Sequence, residues 1–330
     1  MRTRIISSHI FILLLASLLF LAACGQGTIG QSAGSTPTGS VAPALDVNGT
    51  PIVFPQTAPQ KIISLAPSTS EILGALQLQG RVVAVDYYTN YPEVLAKKQK
   101  ISDVSGKFNI EAIVALHPDL ILSSGAIGKQ YSVQLKELGL NLVVLPSPGF
   151  TQTLEHIQLV GRLTFAEEDA RKVVQQMQQQ IDDIKAKVAG ATPPKVLLEA
   201  DSSVPGKPYV FGGGSFGDEM LQYANATNIF HNNTSNGGYP QVTDEAIIAA
   251  NPQFIILTED PQYGGMPELV YKRPNWGNID AVKSRKVYHI KTDLMQRPGP
   301  RLTQGLRCMA QVMHPTKFSE PLPDYCETKV

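Results

Sequence analysis

The sequence predicts an α/β protein of two lobes, each a parallel sheet covered by helices, joined by one long rigid helix. Three observations carry that prediction. Apolar runs of strand length alternate with amphipathic helical stretches over most of the chain. One helix-then-strand segment occurs twice. Between its two copies lies a helical run from Thr164 to about Ala189, long enough at about 1.5 Å per residue to reach roughly 37 Å and brace two lobes.

That run is expected to begin at Thr164 as N-cap, with Glu167 closing a capping box. Ala170, Val173, Val174, Met177, Ile181, Ile184 and Val188 recur at three- and four-residue steps, while Gln175, Gln178, Asp182, Lys185 and Lys187 fill the wet side. A coiled-coil seam or an ordinary surface helix is the alternative for this stretch taken alone.

Ahead of it, Leu45–Val47 and Thr50–Phe54 flank Asn48-Gly49 and read as a small hairpin. Strands are expected at Lys61–Ala66, Arg81–Val85, Asp119–Ser123 and Leu142–Leu145, with helices at Ser70–Leu78 and Gln130–Leu138 between them. After the long helix the alternation resumes. Strands fall at Lys195–Ala200, Phe254–Thr258 and Lys286–Ile290, and helices near Asp218–Ala224, Thr243–Ala250 and Arg301–Val312. The repeat pairs NIEAIVALHPDLILSS, from Asn109, with TDEAIIAANPQFIILT, from Thr243. Each copy is a helix stopped by a proline turn that feeds an apolar strand. Residues 45–150 are assigned to the first lobe, 151–189 to the connecting helical segment and 190–330 to the second, with the cleft between the lobes as the ligand site.

At 330 residues, 43% of them hydrophobic and 17% charged, the chain has room for two cores. The 28 basic residues equal the 28 acidic ones, which disfavours nucleic acid or an anionic membrane surface as a partner. Residues 1–23 carry Arg2 and Arg4 ahead of an apolar run too short for a comfortable membrane span. With Leu21-Ala22-Ala23-Cys24-Gly25 the stretch resembles a bacterial lipoprotein signal, which implies cleavage before Cys24, lipidation of its sulfur, and an extracytoplasmic protein anchored to the cell membrane. Residues 24–44, rich in Gly, Ser, Thr and Pro, then form a flexible tether. Cys308 and Cys326, an even pair in an oxidising compartment, are expected to bond, two buried free thiols being the alternative.

Two enzyme signatures overlap in FGGGSFGD, Phe211–Asp218. Gly212, Gly214 and Gly217 have dinucleotide-fingerprint spacing but lie mid-lobe in an exported chain. Gly213-x-Ser215-x-Gly217 matches a nucleophile elbow, with Asp260 or Asp280 and then His289 or His314 in hydrolase order, so a secreted serine hydrolase is the rival reading. Against it, no oxyanion loop precedes Ser215, and a glycine-rich turn at a cleft lip serves to let backbone approach a ligand. His117, His156, His231, His289 and His314 show no metal spacing and read as turn and surface residues. Tyr87, Tyr88, Tyr91, Tyr209, Phe211, Phe216, Tyr239 and Trp276 sit in connections, where aromatics suit a large planar ligand or cap the core.

Lys61–Glu71 (KIISLAPSTSE), Val82–Pro92 ending in Asn90-Tyr91-Pro92, Asn109–Leu122, Tyr239–Val242 and Arg297-Pro-Gly-Pro-Arg301 together resemble the substrate-binding proteins of ABC importers for cobalamin, iron-siderophores and haem. The resemblance runs from Leu45 to about Pro315 and is strongest to cobalamin-binding members. It implies the two-lobed class with a helical backbone, no catalysis, no cofactor, and a permease dimer with its ATPase as partners. The ligand it implies is a corrinoid or, alternatively, a ferric chelate or haem. It further implies ligand contacts at Tyr88, Asp293 and Arg297, and in altered form at Tyr209 and Tyr239. Two tryptophans of that pocket fall on Ser105 and Ser124. Glu111 and Glu245 match glutamates that dock on the permease, although either carboxylate also suits its own helix start.

Overall fold

The computed structural model describes residues 45–47, 49–125, 127–146 and 149–326. The expected signal and tether, Cys24 with them, and Asn48 of the expected hairpin lie outside the described residues. At that hairpin the described residues form one isolated bridge, Leu45 to Pro51, rather than paired strands. Pro51 and Pro55 lack the N–H that a longer ladder needs.

The first lobe is a sheet of β1 (Ile62–Ser64), β2 (Val82–Val85), β3 (Gln99–Lys100), β4 (Leu120–Ser124) and β5 (Leu142–Leu145), in the order β3-β2-β1-β4-β5 and parallel throughout. Four of the five are the apolar runs read from sequence, and all their Ile, Leu and Val side chains but the half-buried Val83 are buried, as a sheet covered on both faces requires. Helices α1 (Pro67–Ala75), α2 (Glu93–Ala96), α3 (Ile110–Ala115) and α4 (Lys129–Glu137) connect them.

The connecting segment holds the expected long helix, α6 (Glu167–Val188), and ahead of it a second helix, α5 (Phe150–Thr164). The expected capping box at Thr164 is therefore wrong. Thr164 is the last residue of α5, its Oγ1 donates back to the Val160 carbonyl, and Arg81 Nη1 donates to its carbonyl at 2.9 Å. Phe165 turns the chain in the left-handed region (φ 59°), and α6 starts after Ala166 without a side-chain cap. The two helices pack so closely that a Cβ on Gly161 would lie 2.5 Å from the Ala170 Cβ. The stripe on α6 divides between two cores. Ala170 and Met177 join the first lobe with Ile72, Leu73 and Val160, whereas Ile181, Ile184 and Val188 join the second with Val196, Met220 and Met309.

The second lobe contains β6 (Lys195–Asp201), β7 (Tyr209–Val210), β8 (Thr227–Asn228), α7 (Phe216–Tyr223), β9 (Phe254–Leu257) and β10 (Val287–His289). Its order is β10-β9-β6-β7, with β8 also on β6; β7 runs antiparallel, the one departure from the expected parallel sheets.

The sequence repeat is a structural one. Asn109 Oδ1 accepts from Ala112 N, and Thr243 Oγ1 from Ala246 N, so both copies cap their helix alike. Each helix ends on a left-handed residue before proline, His117 (φ 47°) and Asn251 (φ 46°). The next side chain then braces the first strand of its lobe: Asp119 Oδ2 accepts from Gln60 N and Lys61 N, and Gln253 Oε1 from Lys195 N. Ile62 pairs with Leu120 and Val196 with Phe254, at the same offset.

Candidate functional site

The carboxyl ends of the strands meet where the lobes join, the place where open parallel sheets bind ligands. On the first lobe, the loop after β2 carries Tyr87, Tyr88, Asn90 and Tyr91, all exposed. A buried chain of hydroxyls fixes its base. Ser64 Oγ contacts Thr69 Oγ1 at 2.7 Å and Ser70 Oγ at 2.8 Å; Ser70 Oγ contacts Thr89 Oγ1 at 2.9 Å; and Thr89 Oγ1 donates to Asp86 Oδ2. Lys100 Nζ donates to the carbonyls of Asp86 and Thr89 from the other side. Burial raises the Asp86 carboxyl above its ordinary pKa, against the Thr89 and Tyr88 hydrogen bonds and the Lys100 charge, which lower it. The Tyr88 phenol donates to the Val104 carbonyl, and its ring meets Tyr87 edge-on at 5.3 Å.

On the second lobe, the helical turn Thr292–Met295 after β10 and the segment following it carry Asp293, Arg297 and Arg301. These three cross to the first lobe. Arg297 Nη1 donates to Asn90 Oδ1 at 2.6 Å, Asn90 Nδ2 donates to Asp293 Oδ2 at 2.9 Å, and Arg297 Nη2 pairs with Asp293 Oδ1 at 2.7 Å. Arg301 makes a two-pronged bond to the buried Glu71 carboxylate on α1, at 2.9 and 2.5 Å, and lies over the Tyr91 ring at 4.1 Å. Burial, the largest influence, raises the Glu71 pKa while Arg301 and Arg297 draw it down. Behind this bridge is a hollow of about 310 Å³ between α1, α6 and the turn at Arg301.

The structure thus brings Tyr88, Asp293 and Arg297 to one junction, with the Tyr88 carbonyl 3.4 Å from Arg297 Nη2. It does not bring Tyr209 and Tyr239 there. They belong to the β7 edge of the second sheet, three strand spacings, or about 14 Å, from the β10 edge. Tyr239 packs on the rings of Phe211 and Phe216, and burial raises its phenol pKa. Phe211, Phe216 and Trp276 are buried core residues and not cleft aromatics. Asn90 and Glu71 are the junction residues that sequence reasoning missed as such, although both lie inside motifs that it quoted. Glu111 and Glu245 are exposed in the first turns of α3 and of Asp244–Ala250. Cys308 and Cys326 are joined by a disulfide.

A family model for "Periplasmic binding protein" matches residues 62–294. The chain belongs to that family.

As a periplasmic binding protein it has relatives of consistent kind. It is 33% identical over 314 residues, 93% of this chain and 97% of the other, to an uncharacterized ABC transporter substrate-binding lipoprotein, YvrC, of Bacillus subtilis. It is 27% identical over 208 residues, 63% of this chain and 72% of the other, to the vitamin B12-binding protein of Yersinia pestis. A solved structure of a possible iron-binding periplasmic protein from Staphylococcus epidermidis superposes with a TM-score of 0.69 at 28% identity, covering 78% of this chain and all of that one.

A periplasmic binding protein of this kind is not an enzyme, and the hydrolase geometry is absent. Ser215 is buried as the N-cap of α7; its Oγ donates to the Gly212 carbonyl at 2.7 Å and accepts from Asp218 N. The histidines in hydrolase order are engaged elsewhere, His289 Nε2 with the Glu259 carbonyl and His314 Nε2 with the Ala224 carbonyl. The glycines let backbone approach backbone, not ligand: a Cβ on Gly213 would lie 1.9 Å from the His231 carbonyl oxygen. The description of His117, His156, His231, His289 and His314 alike as turn or surface residues also fails, because His156, His289 and His314 are buried. Among the described residues no group of three metal-binding side chains forms, and no helix is long and apolar enough to cross a membrane.

Proposed function

We propose that this periplasmic binding protein is the lipid-anchored, extracytoplasmic receptor of an ABC importer, and that it captures cobalamin or a related corrinoid. The observation that carries the ligand class is the charge balance at the junction. Arg297 and Arg301 are each already paired with Asp293 and Glu71, so neither offers the spare positive charge that an anionic ferric chelate or the carboxylates of haem would draw on. A corrinoid rim of neutral amides asks instead for mixed donors and acceptors, which Asn90, Asp293 and Arg297 supply together. The exposed tyrosines of the first lobe add apolar faces for a macrocycle. A receptor for haem or a ferric siderophore is the second reading, favoured by the iron-binding name of the Staphylococcus epidermidis neighbour.

Calorimetric titration of the soluble body with cyanocobalamin, haem and several ferric siderophores tests this. Cyanocobalamin is expected to bind, and Arg297→Ala and Tyr88→Ala to weaken it with the fold intact. If none of the panel binds below about 10 μM, roughly −7 kcal/mol, the receptor reading is wrong. A ferric chelate binding in place of cyanocobalamin decides for the second reading.

Glu111 and Glu245, matched in the two lobes, dock on a permease dimer with a basic residue on each subunit. Reversing both to Lys is expected to keep ligand affinity within about twofold while abolishing uptake. Full uptake by that variant would leave the glutamates serving only their own helices.

A further inference from the structure

The C-terminal tail is tied down more heavily than its length requires. Phe318 is buried beneath Lys187 and Arg307, whose charged ends lie 5.3 and 4.7 Å from its ring centre. The Glu320 carboxylate pairs with Lys187 of α6 at 3.4 Å and with Arg307 at 3.3 Å, and its carbonyl accepts from Gln311 Nε2 at 2.6 Å. Cys326, fully buried, is bonded to Cys308 on the helix Leu302–Met313. From that fixed point the tail reaches the segment ahead of the junction. The Cys326 carbonyl accepts from Lys291 N at 3.1 Å.

Lys291 is where this contact gains its meaning. Its carbonyl accepts from Leu294 N at 2.9 Å, so the residue held by the tail is also the one that opens the turn Thr292–Met295. Asp293 lies two residues on. One of its oxygens holds Arg297 and the other receives Asn90 from the opposite lobe. A continuous path therefore runs from the disulfide through Cys326, Lys291 and Asp293 to the first lobe.

We infer that the disulfide-held tail is a strap that positions the Asp293–Arg297 turn, and through it the grip of the second lobe on Asn90. Cys326 and Lys291 are positioning residues. The strap fixes where the Asp293 carboxylate stands; without it the turn starts from an unanchored N–H, and the lobes meet on a looser edge. Its bearing on ligand capture rests on the receptor reading above. Its test needs no ligand, so failure of either idea leaves the other standing.

The test is a double-mutant cycle on the whole soluble body. Lys291→Pro removes the N–H that the tail accepts from and keeps the disulfide, at a residue whose φ of −45° lies near the proline range. Asn90→Ala removes the partner on the other lobe, far along the chain and out of contact with the tail. If the strap positions the bridge, Asn90→Ala lowers the melting temperature by about 3 °C in the intact protein and by less than half as much alongside Lys291→Pro. A purely structural tail predicts additive losses. An Asn90→Ala effect of equal size in both backgrounds, zero included, overturns the inference. Should Lys291→Pro fail to fold, the same comparison in Cys308→Ser/Cys326→Ser carries the test by the same criterion.

Discussion

The two lobes share a scaffold and differ at the edge they present to each other. Asn109 and Thr243 cap the same helix, His117 and Asn251 make the same left-handed stop, and Asp119 and Gln253 brace the same first strand. At the junction the likeness ends. The first lobe offers exposed tyrosines on a loop fixed by buried hydroxyls, while the second offers an acid and two arginines on a turn held by a disulfide-bonded tail. The lesson is that the two lobes are alike in what folds each of them and differ in the loops that they turn toward each other.

The comparison is tested most severely by two buried carboxylates. Glu199 pairs with Arg273 inside the second lobe at 2.6 and 2.7 Å, whereas Glu71 pairs with Arg301 across the junction. Removing one partner of a buried pair strands the other, so Glu199→Ala and Glu71→Ala are each expected to cost about 3–5 kcal/mol in urea unfolding. They should differ in where the loss falls. Hydrogen exchange should quicken in β6, β9 and β10 alone for Glu199→Ala, and in both lobes beside the junction for Glu71→Ala. A Glu71→Ala cost under about 1 kcal/mol would reduce the bridge to an ordinary surface contact.

Next in size is an acid sensitivity on the helix that enters the connecting segment. His156 on α5 is buried, and burial lowers its imidazole pKa from 6.5 to about 4. Between those values the unfolded chain binds a proton that the folded chain refuses. Its contribution is therefore whole above pH 6.5 and falls away as pH drops toward 4, by ~3 kcal/mol. His156→Leu is expected to flatten the stability profile in that window, and an unchanged slope would place the sensitivity elsewhere. Burial also lowers the His289 pKa in the second lobe, so His289 variants should act in the same direction.

The smallest effect probes equivalence itself. Asn109→Ala and Thr243→Ala should each cost about 1 kcal/mol, equal within a few tenths. A loss at one cap and none at the other would mean that the repeat persists in sequence but not in energetics.

Strands were legible because a strand covered on both faces is a continuous apolar run, as at Ile62-Ile63 and Phe254–Leu257. The start of α6 was read two residues early, at Thr164, because the left-handed turn falls on Phe165, with neither glycine nor proline to mark it. Gly161 was the available signal, a small residue where two helices must approach. Of the site, Tyr88, Asp293 and Arg297 were reached through family likeness. Asn90 and Glu71 take their partners some two hundred residues away, and nothing local in a sequence records such a pairing. Tyr239, read as a residue in a connection, is half-buried and also packs on the ring of Phe211.

Helix α6 sets the mechanics of the whole. Its two halves are embedded in different cores, so it acts as a spine shared by two leaves. Near the spine, Thr303 Oγ1 donates to Gln180 Oε1 at 2.5 Å, and a small rotation of one leaf hardly stretches that contact. Farther out along the lever arm the same rotation sweeps a larger arc, and Asn90 and Arg297 bear it. Bonds of ordinary strength at the outer edge therefore exert the greatest torque against opening.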